Sequence, residues 1–167
     1  MVDRKIIPLR RIDRASGNSL VNADFSNLPR SHGFDWRVVS LPPVQSYFSS
    51  PESSVSFSGK QPEICDILYQ LVPVDDKTNY QFSVSYKTAD ISAPSGLSWR
   101  LLNEADGSEL GHTQYLHGAE WGDERVQFKT AGGIRLLRLV LSYRRVPGTT
   151  RTEGTLLFRN AGLNRIE

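Results

Sequence analysis

Gly33-Phe34-Asp35-Trp36-Arg37-Val38 and Gly96-Leu97-Ser98-Trp99-Arg100-Leu101 are one phrase written twice. Each runs glycine, apolar, polar, tryptophan, arginine, apolar. Side chains on a β-strand alternate between its two faces. Read as strands, Phe34, Trp36 and Val38 share one face, and Leu97, Trp99 and Leu101 repeat the arrangement. Asp35 and Arg37, like Ser98 and Arg100, take the opposite face. The phrase predicts two strands that each bury an indole and turn a guanidinium outward. That is the pattern of a two-layered β-fold and not of a catalytic site.

The chain on either side agrees. Tyr80, Phe82, Val84 and Tyr86 alternate with Gln81, Ser83, Ser85 and Lys87, as on a strand with one buried face. Leu137, Leu139, Leu141 and Tyr143 alternate with Arg138, Val140, Ser142 and Arg144. Val55 with Phe57, and Val126 with Phe128, mark two shorter strands. Residues 20–25, 44–48, 64–74 and 154–163 are further candidates, and residues 108–123 read as a long loop with room for one short strand. Pro42-Pro43, Gly132-Gly133 and Pro147-Gly148 break the chain between them. No segment holds a convincing helical period. The expected fold is all-β, a two-sheet antiparallel β-sandwich over residues 20–167. Residues 1–19, with Arg4, Lys5, Arg10, Arg11 and Arg14, read as a linker or an N-terminal strap.

A chain of 167 residues is one domain's worth, long enough to bury a core without staples. The formal net charge of +2 does not demand a nucleic-acid partner. Cys65 is the single cysteine and sits in an apolar run, where a small buried hydrophobe is the expectation. No run approaches the roughly 20 apolar residues of a membrane span. Residues 1–5 lack the apolar stretch of a secretory signal.

Catalytic and metal signatures are thin. His112 and His117 are five apart, without the i, i+4 helical spacing of a zinc protease. There is no Gly-x-Ser-x-Gly elbow, and Ser58-Gly59-Lys60 lacks the upstream glycine of a phosphate loop. Asp75-Asp76 and Asp123-Glu124 fall where turns are expected. Neither a catalytic residue nor a metal ligand is assigned, although Asp24 could give one oxygen to a structural calcium.

Binding is the remaining class. Arg37, Gln70, Arg100 and Arg138, with Gln81, Ser83, Ser85 and Gln127, are expected to look outward from a sheet. Amides and guanidinium forks suit sugar hydroxyls and the carboxylates of acidic sugars. Tyr115 and Trp121 lie in the long loop, where an aromatic can stack on a pyranose ring. The plainer alternative is an ordinary polar face and a loop packed by its own aromatics.

Asn22-Ala23-Asp24-Phe25 resembles the Asn-Gly-Asp/Gly-Phe opening of jelly-roll carbohydrate-binding modules with the galactose-binding-like fold. Later stretches fit in order: Gly33–Val38, Phe57-Ser58-Gly59, Tyr69-Gln70 and Tyr80–Ser83. The second tryptophan phrase, Gly118–Trp121, Phe128–Thr130 and Glu153-Gly154-Thr155-Leu156 follow. Over residues 20–165 the chain is similar to domains appended to bacterial tetratricopeptide-type proteins of exopolysaccharide and cell-surface systems. The resemblance implies a non-catalytic module excised from a longer, periplasmic or extracellular protein. Its implied partner is a polysaccharide or oligosaccharide; the alternative function is a protein-interaction module that docks another envelope protein of a polysaccharide-assembly complex, and a distant one is a glycoside hydrolase or lyase. Arg37, Gln70, Arg100 and Arg138 would line the concave sheet, with Trp121 at its rim. Arg159 stands where the family's last strand carries an aspartate for calcium. No cofactor is expected.

Overall fold

A computed structural model describes residues 17–167. The basic cluster of the expected strap lies outside the described residues. Within them, Asn18 bridges Asn164, and the Ser19 N–H donates to the Leu163 carbonyl at 2.8 Å.

Ten strands follow: β1 (Arg37–Val38), β2 (Val44–Tyr47), β3 (Ser53–Ser58), β4 (Ile64–Pro73), β5 (Asn79–Ala89), β6 (Leu97–Asn103), β7 (Glu109–His112), β8 (Gly122–Lys129), β9 (Leu136–Arg144) and β10 (Glu153–Arg165). No helix occurs among the described residues. The strands form two antiparallel sheets, β1-β4-β9-β6-β7 and β2-β3-β10-β5-β8. The protein is an all-β, two-sheet sandwich, as the alternation of its sequence predicts.

The core is what the inner faces send into the gap. β5 contributes Tyr80, Phe82, Val84 and Tyr86, and β9 contributes Leu137, Leu139, Leu141 and Tyr143. Trp36 and Trp99 are both fully buried, edge to face at 5.8 Å between ring centroids. Trp99 also meets Phe82 at 5.7 Å and Phe158 at 6.1 Å, so opposite sheets lock through one aromatic cluster. Tilted contacts set the positive edge of one ring against the negative face of the next.

Three local expectations change. The second tryptophan phrase is strand over Leu97–Leu101, but the first becomes strand only at Arg37. Gly33 has a φ of 60°, Phe34 is 46 % exposed, and Asp35 is buried. Asp35 turns inward because its carboxylate accepts the N–H groups of Trp36 at 2.7 Å and Arg30 at 3.2 Å. Residues 20–25 are loop and turn rather than strand, with positive φ at Asn22 and Phe25. This loop still plugs the core: Phe25 is fully buried, stacked on Trp36 at 5.0 Å and edge-on to Phe158 at 4.8 Å.

The third change is parity. Asp66 pairs with Ser142 and Leu68 with Leu141, so β4 carries one extra residue, a β-bulge. Ile67 and Leu68 consequently both point inward, at 1 % and 0 % exposure. Beyond the bulge, Gln70 and Val72 face the core while Tyr69 and Leu71 face out. A second bulge between Arg159 and Gly162 turns Leu163 of β10 back into the core.

Candidate functional site

The outer face of the β1-β4-β9-β6-β7 sheet brings together Arg37, Arg100 and Arg138. Arg37 stands opposite Tyr69, Tyr69 opposite Val140, Val140 opposite Arg100, and Arg100 opposite His112. These residues make one unbroken row across all five strands. At about 4.8 Å per strand the row spans roughly 19 Å. Leu71, Arg138, Leu102 and Glu109 make the row beside it.

Each guanidinium is held. Arg138 makes a two-pronged bond to Glu104, at 2.8 and 2.9 Å, and its charge lies 4.5 Å from the Tyr69 ring centroid. Arg37 approaches the same ring at 5.9 Å and donates through Nη2 to the Gly33 carbonyl at 3.1 Å. Its Nε is buried with no hydrogen-bond partner. Arg100 Nε bonds Glu109 at 2.6 Å, and His112 Nδ1 meets the other oxygen of Glu109 at 2.7 Å. The hydrogen bonds from Arg138 hold the Glu104 carboxyl below its usual range. For Glu109, burial pushes upward, but the bonds from Arg100 and His112 outweigh it and leave the group lowered. Both acids are therefore ionised near neutrality, each charge offset by its arginine.

The row ends in a pocket of about 320 Å³ at the β6–β7 side. Its walls include Arg100, Glu109, His112, Gln114, Tyr115 and Arg144. Tyr115 is 48 % exposed. Thr113 fixes the base of this wall, its Oγ1 accepting the Trp99 N–H at 3.0 Å while its own N–H bonds the Trp99 carbonyl at 2.9 Å. A guanidinium beside a carboxylate offers donors and acceptors side by side, which matches a hydroxyl group that both gives and takes a hydrogen bond.

Two expected site residues lie elsewhere. Gln70 is fully buried, and its amide clamps the N-terminal loop: Oε1 accepts the Val21 N–H at 2.9 Å and Nε2 donates to the Val21 carbonyl at 2.8 Å. Unbroken alternation from Ile67 would have turned Gln70 outward, and the β4 bulge reverses that parity. Trp121 does not stand at the rim of the arginine face. It precedes β8, and its ring lies 3.9 Å from the guanidinium of Arg159 on β10 and 5.1 Å from Lys87 Nζ on β5. Gln81, Ser83, Ser85 and Gln127 likewise belong to the other sheet. The expected single polar face is two faces, one on each side of the sandwich.

At the two positions the resemblance links to calcium, the side chains have the following neighbours. Arg159 is stacked on Trp121, the Asp24 carboxylate accepts the Ser26 N–H at 3.1 Å, and among the described residues no three His, Cys, Asp or Glu side chains gather.

Comparison with known proteins bears on the fold. No protein-family model and no curated protein matches the sequence. Among solved structures, a carbohydrate-binding module described as "CBM4 structure and function" superposes with a TM-score of 0.68 at 10 % identity, over 89 % of this chain and 100 % of that one. The enzymatically active domain of tailspike protein 4 of bacteriophage CBA120 gives 0.62 at 13 %, over 90 % of this chain and 22 % of that one. The Stig cyclase Fisc from Fischerella sp. TAU, solved with an indole derivative, gives 0.57 at 14 %, over 89 % and 96 %. The chain has a carbohydrate-binding-module-like jelly-roll fold. At these identities the likeness speaks of the fold, and what the module binds has to come from its faces.

Sequence reasoning passed over Tyr69, Glu104 and Glu109. Tyr69 adjoins Gln70 in the sequence, but its direction depends on the bulge. The two glutamates sit at strand ends or in turns, where charge usually signals only solvent. Their pairing with Arg138 and Arg100 is set by strand order, which no local pattern encodes.

Proposed function

We propose that the protein is a non-catalytic carbohydrate-binding module whose ligand lies along the Arg37–Tyr69–Val140–Arg100–His112 row and enters the Tyr115 pocket. The observation that carries this reading is the continuity of that row, with guanidinium, phenol and imidazole groups spaced across five strands and opening onto an exposed tyrosine. A linear polysaccharide presents a repeating ladder of hydroxyls, and a row of about 19 Å, polar except at the fully buried Val140 in its middle, is as long as several sugar rings. The paired arginines are pre-organised, so little side-chain entropy is lost on binding.

The two acids paired with arginines on this face are not suited to the general-acid role in hydrolysis. A glycosidase needs one carboxyl kept protonated as general acid. Glu104 and Glu109 are both shifted the other way. In this reading the module is an accessory part of a cell-envelope or exopolysaccharide protein, which rests on the sequence resemblance.

The test is a glycan array followed by affinity electrophoresis with the unmodified protein and with Tyr115→Ala and Arg37→Ala. Retention by a polysaccharide that both variants weaken, with unchanged thermal unfolding, supports the assignment. No retention on any polymer, or retention indifferent to both variants, overturns it.

A further inference from the structure

The outer face of the β2-β3-β10-β5-β8 sheet is left unused by that reading, and it has its own chemistry. Trp121 precedes β8, yet its ring meets Arg159 of β10, two strands away. The indole therefore reaches over β5. Lys87 of β5 approaches the same ring. Neither cation makes a hydrogen bond or ion pair among the described residues, and Arg159 Nε is buried without a partner. Arg100 and Arg138 on the opposite face, by contrast, are both neutralised. Asp123, the acid that β8 presents on this face, is already bonded by Ser85 at 2.6 Å and lies 3.8 Å from Arg125.

Two charges gathered on one indole repel each other, and the attraction of each to the aromatic face offsets only part of that cost. An anion resting between them would remove the repulsion and take bonds from the Lys87 ammonium and the terminal nitrogens of Arg159. The rest of the face suits a sugar chain. Tyr47, Ser54, Leu157 and Lys87 stand opposite one another in register, and Tyr47 is 68 % exposed. The row therefore has an exposed phenol at one end, a hydroxyl within it, and the cation–indole cluster at the other end.

We propose that this second face binds an anionic polysaccharide, with the carboxylate or sulfate of one sugar held by Lys87 and Arg159 beside Trp121. The module then has two binding faces, back to back, able to bridge two glycan chains. A small net charge and one cation cluster favour a polymer with one acid per repeat over nucleic acid or a lipid surface, which reward denser basic stripes.

The experiment uses affinity electrophoresis through polygalacturonate, alginate, hyaluronate and chondroitin sulfate, in a Tyr115→Ala background so that the first face is read separately. Retention by at least one acidic polymer is expected, falling about tenfold or more when Lys87→Gln and Arg159→Gln are added. Lys87→Gln alone, checked by circular dichroism, serves if the double variant does not fold, and should lose part of the retention. The proposal is overturned if no acidic polymer retains the protein, or if folded variants are retained as before. It is also overturned if single-stranded DNA or anionic vesicles compete the binding away more effectively than the polymers. Loss of neutral-sugar binding in Tyr115→Ala bears only on the first face.

Discussion

Replacing Gln70 by leucine separates the structural account of this residue from a ligand-binding one. The volume is nearly conserved, so little cavity cost enters. What changes is the clamp on Val21, a residue only 6 % exposed, which loses an acceptor at 2.9 Å and a donor at 2.8 Å. Leaving a buried donor or acceptor unmet costs about 1–3 kcal/mol, so two orphaned backbone groups cost about 2–6 kcal/mol. At about 2–4 °C per kcal/mol for a chain of this size, that lowers Tm by roughly 4–24 °C. Calorimetry and urea titration, with the slope unchanged, would measure it. At a temperature where the variant is folded, its retention on a binding polysaccharide should equal that of the unmodified protein. An unaltered Tm together with lost retention would place Gln70 on the ligand and refute the parity assigned to β4.

Further outcomes follow from the same geometry. Trp99→Ala removes an indole that touches Trp36, Phe82 and Phe158, and should cost about 3–5 kcal/mol in chemical denaturation. Gly154→Ala places a methyl group 2.6 Å from the carbonyl oxygens of Ala89 and Asp90 at a φ of 110°, and should destabilise by about 1–3 kcal/mol, whereas Gly107→Ala meets no neighbouring atom and differs only by its φ of 74°. Glu104 is lowered in the folded state, so its contribution is fully present above its unfolded value of 4.5 and is lost as pH falls through the lower folded one. Glu104→Gln should therefore flatten the acid limb of a stability-against-pH curve below that value, and an unchanged limb would argue that the Arg138 pair does not persist in solution.

The tryptophan phrases show how far local pattern reaches. Trp99 is buried and Arg100 faces outward because alternation is a property of the strand itself, whereas Trp36 is buried from the turn just before β1 and only Arg37 takes its direction from that strand. Alternation also gave the inward faces of β5 and β9. It failed where the backbone departed from period two: at Asp35, captured by the N–H groups of Arg30 and Trp36, and at Gln70, reversed by one inserted residue. For the candidate site, three of five expected residues share a face. Trp121 and the serines were grouped with the arginines because outward is a single direction in sequence but two in a sandwich.

The sequence alone determined the class of fold and the content of its core, since period-two burial is written residue by residue and is paid for by desolvating each apolar side chain. Strand order, bulges and pairing decided the rest. They chose which outward residues became neighbours, tied Arg138 to Glu104 and Arg100 to Glu109, and left Lys87 and Arg159 on Trp121 with no acid paired to them among the described residues. Those are contacts between residues far apart in the chain, and only closing the two sheets over one core brings them within range.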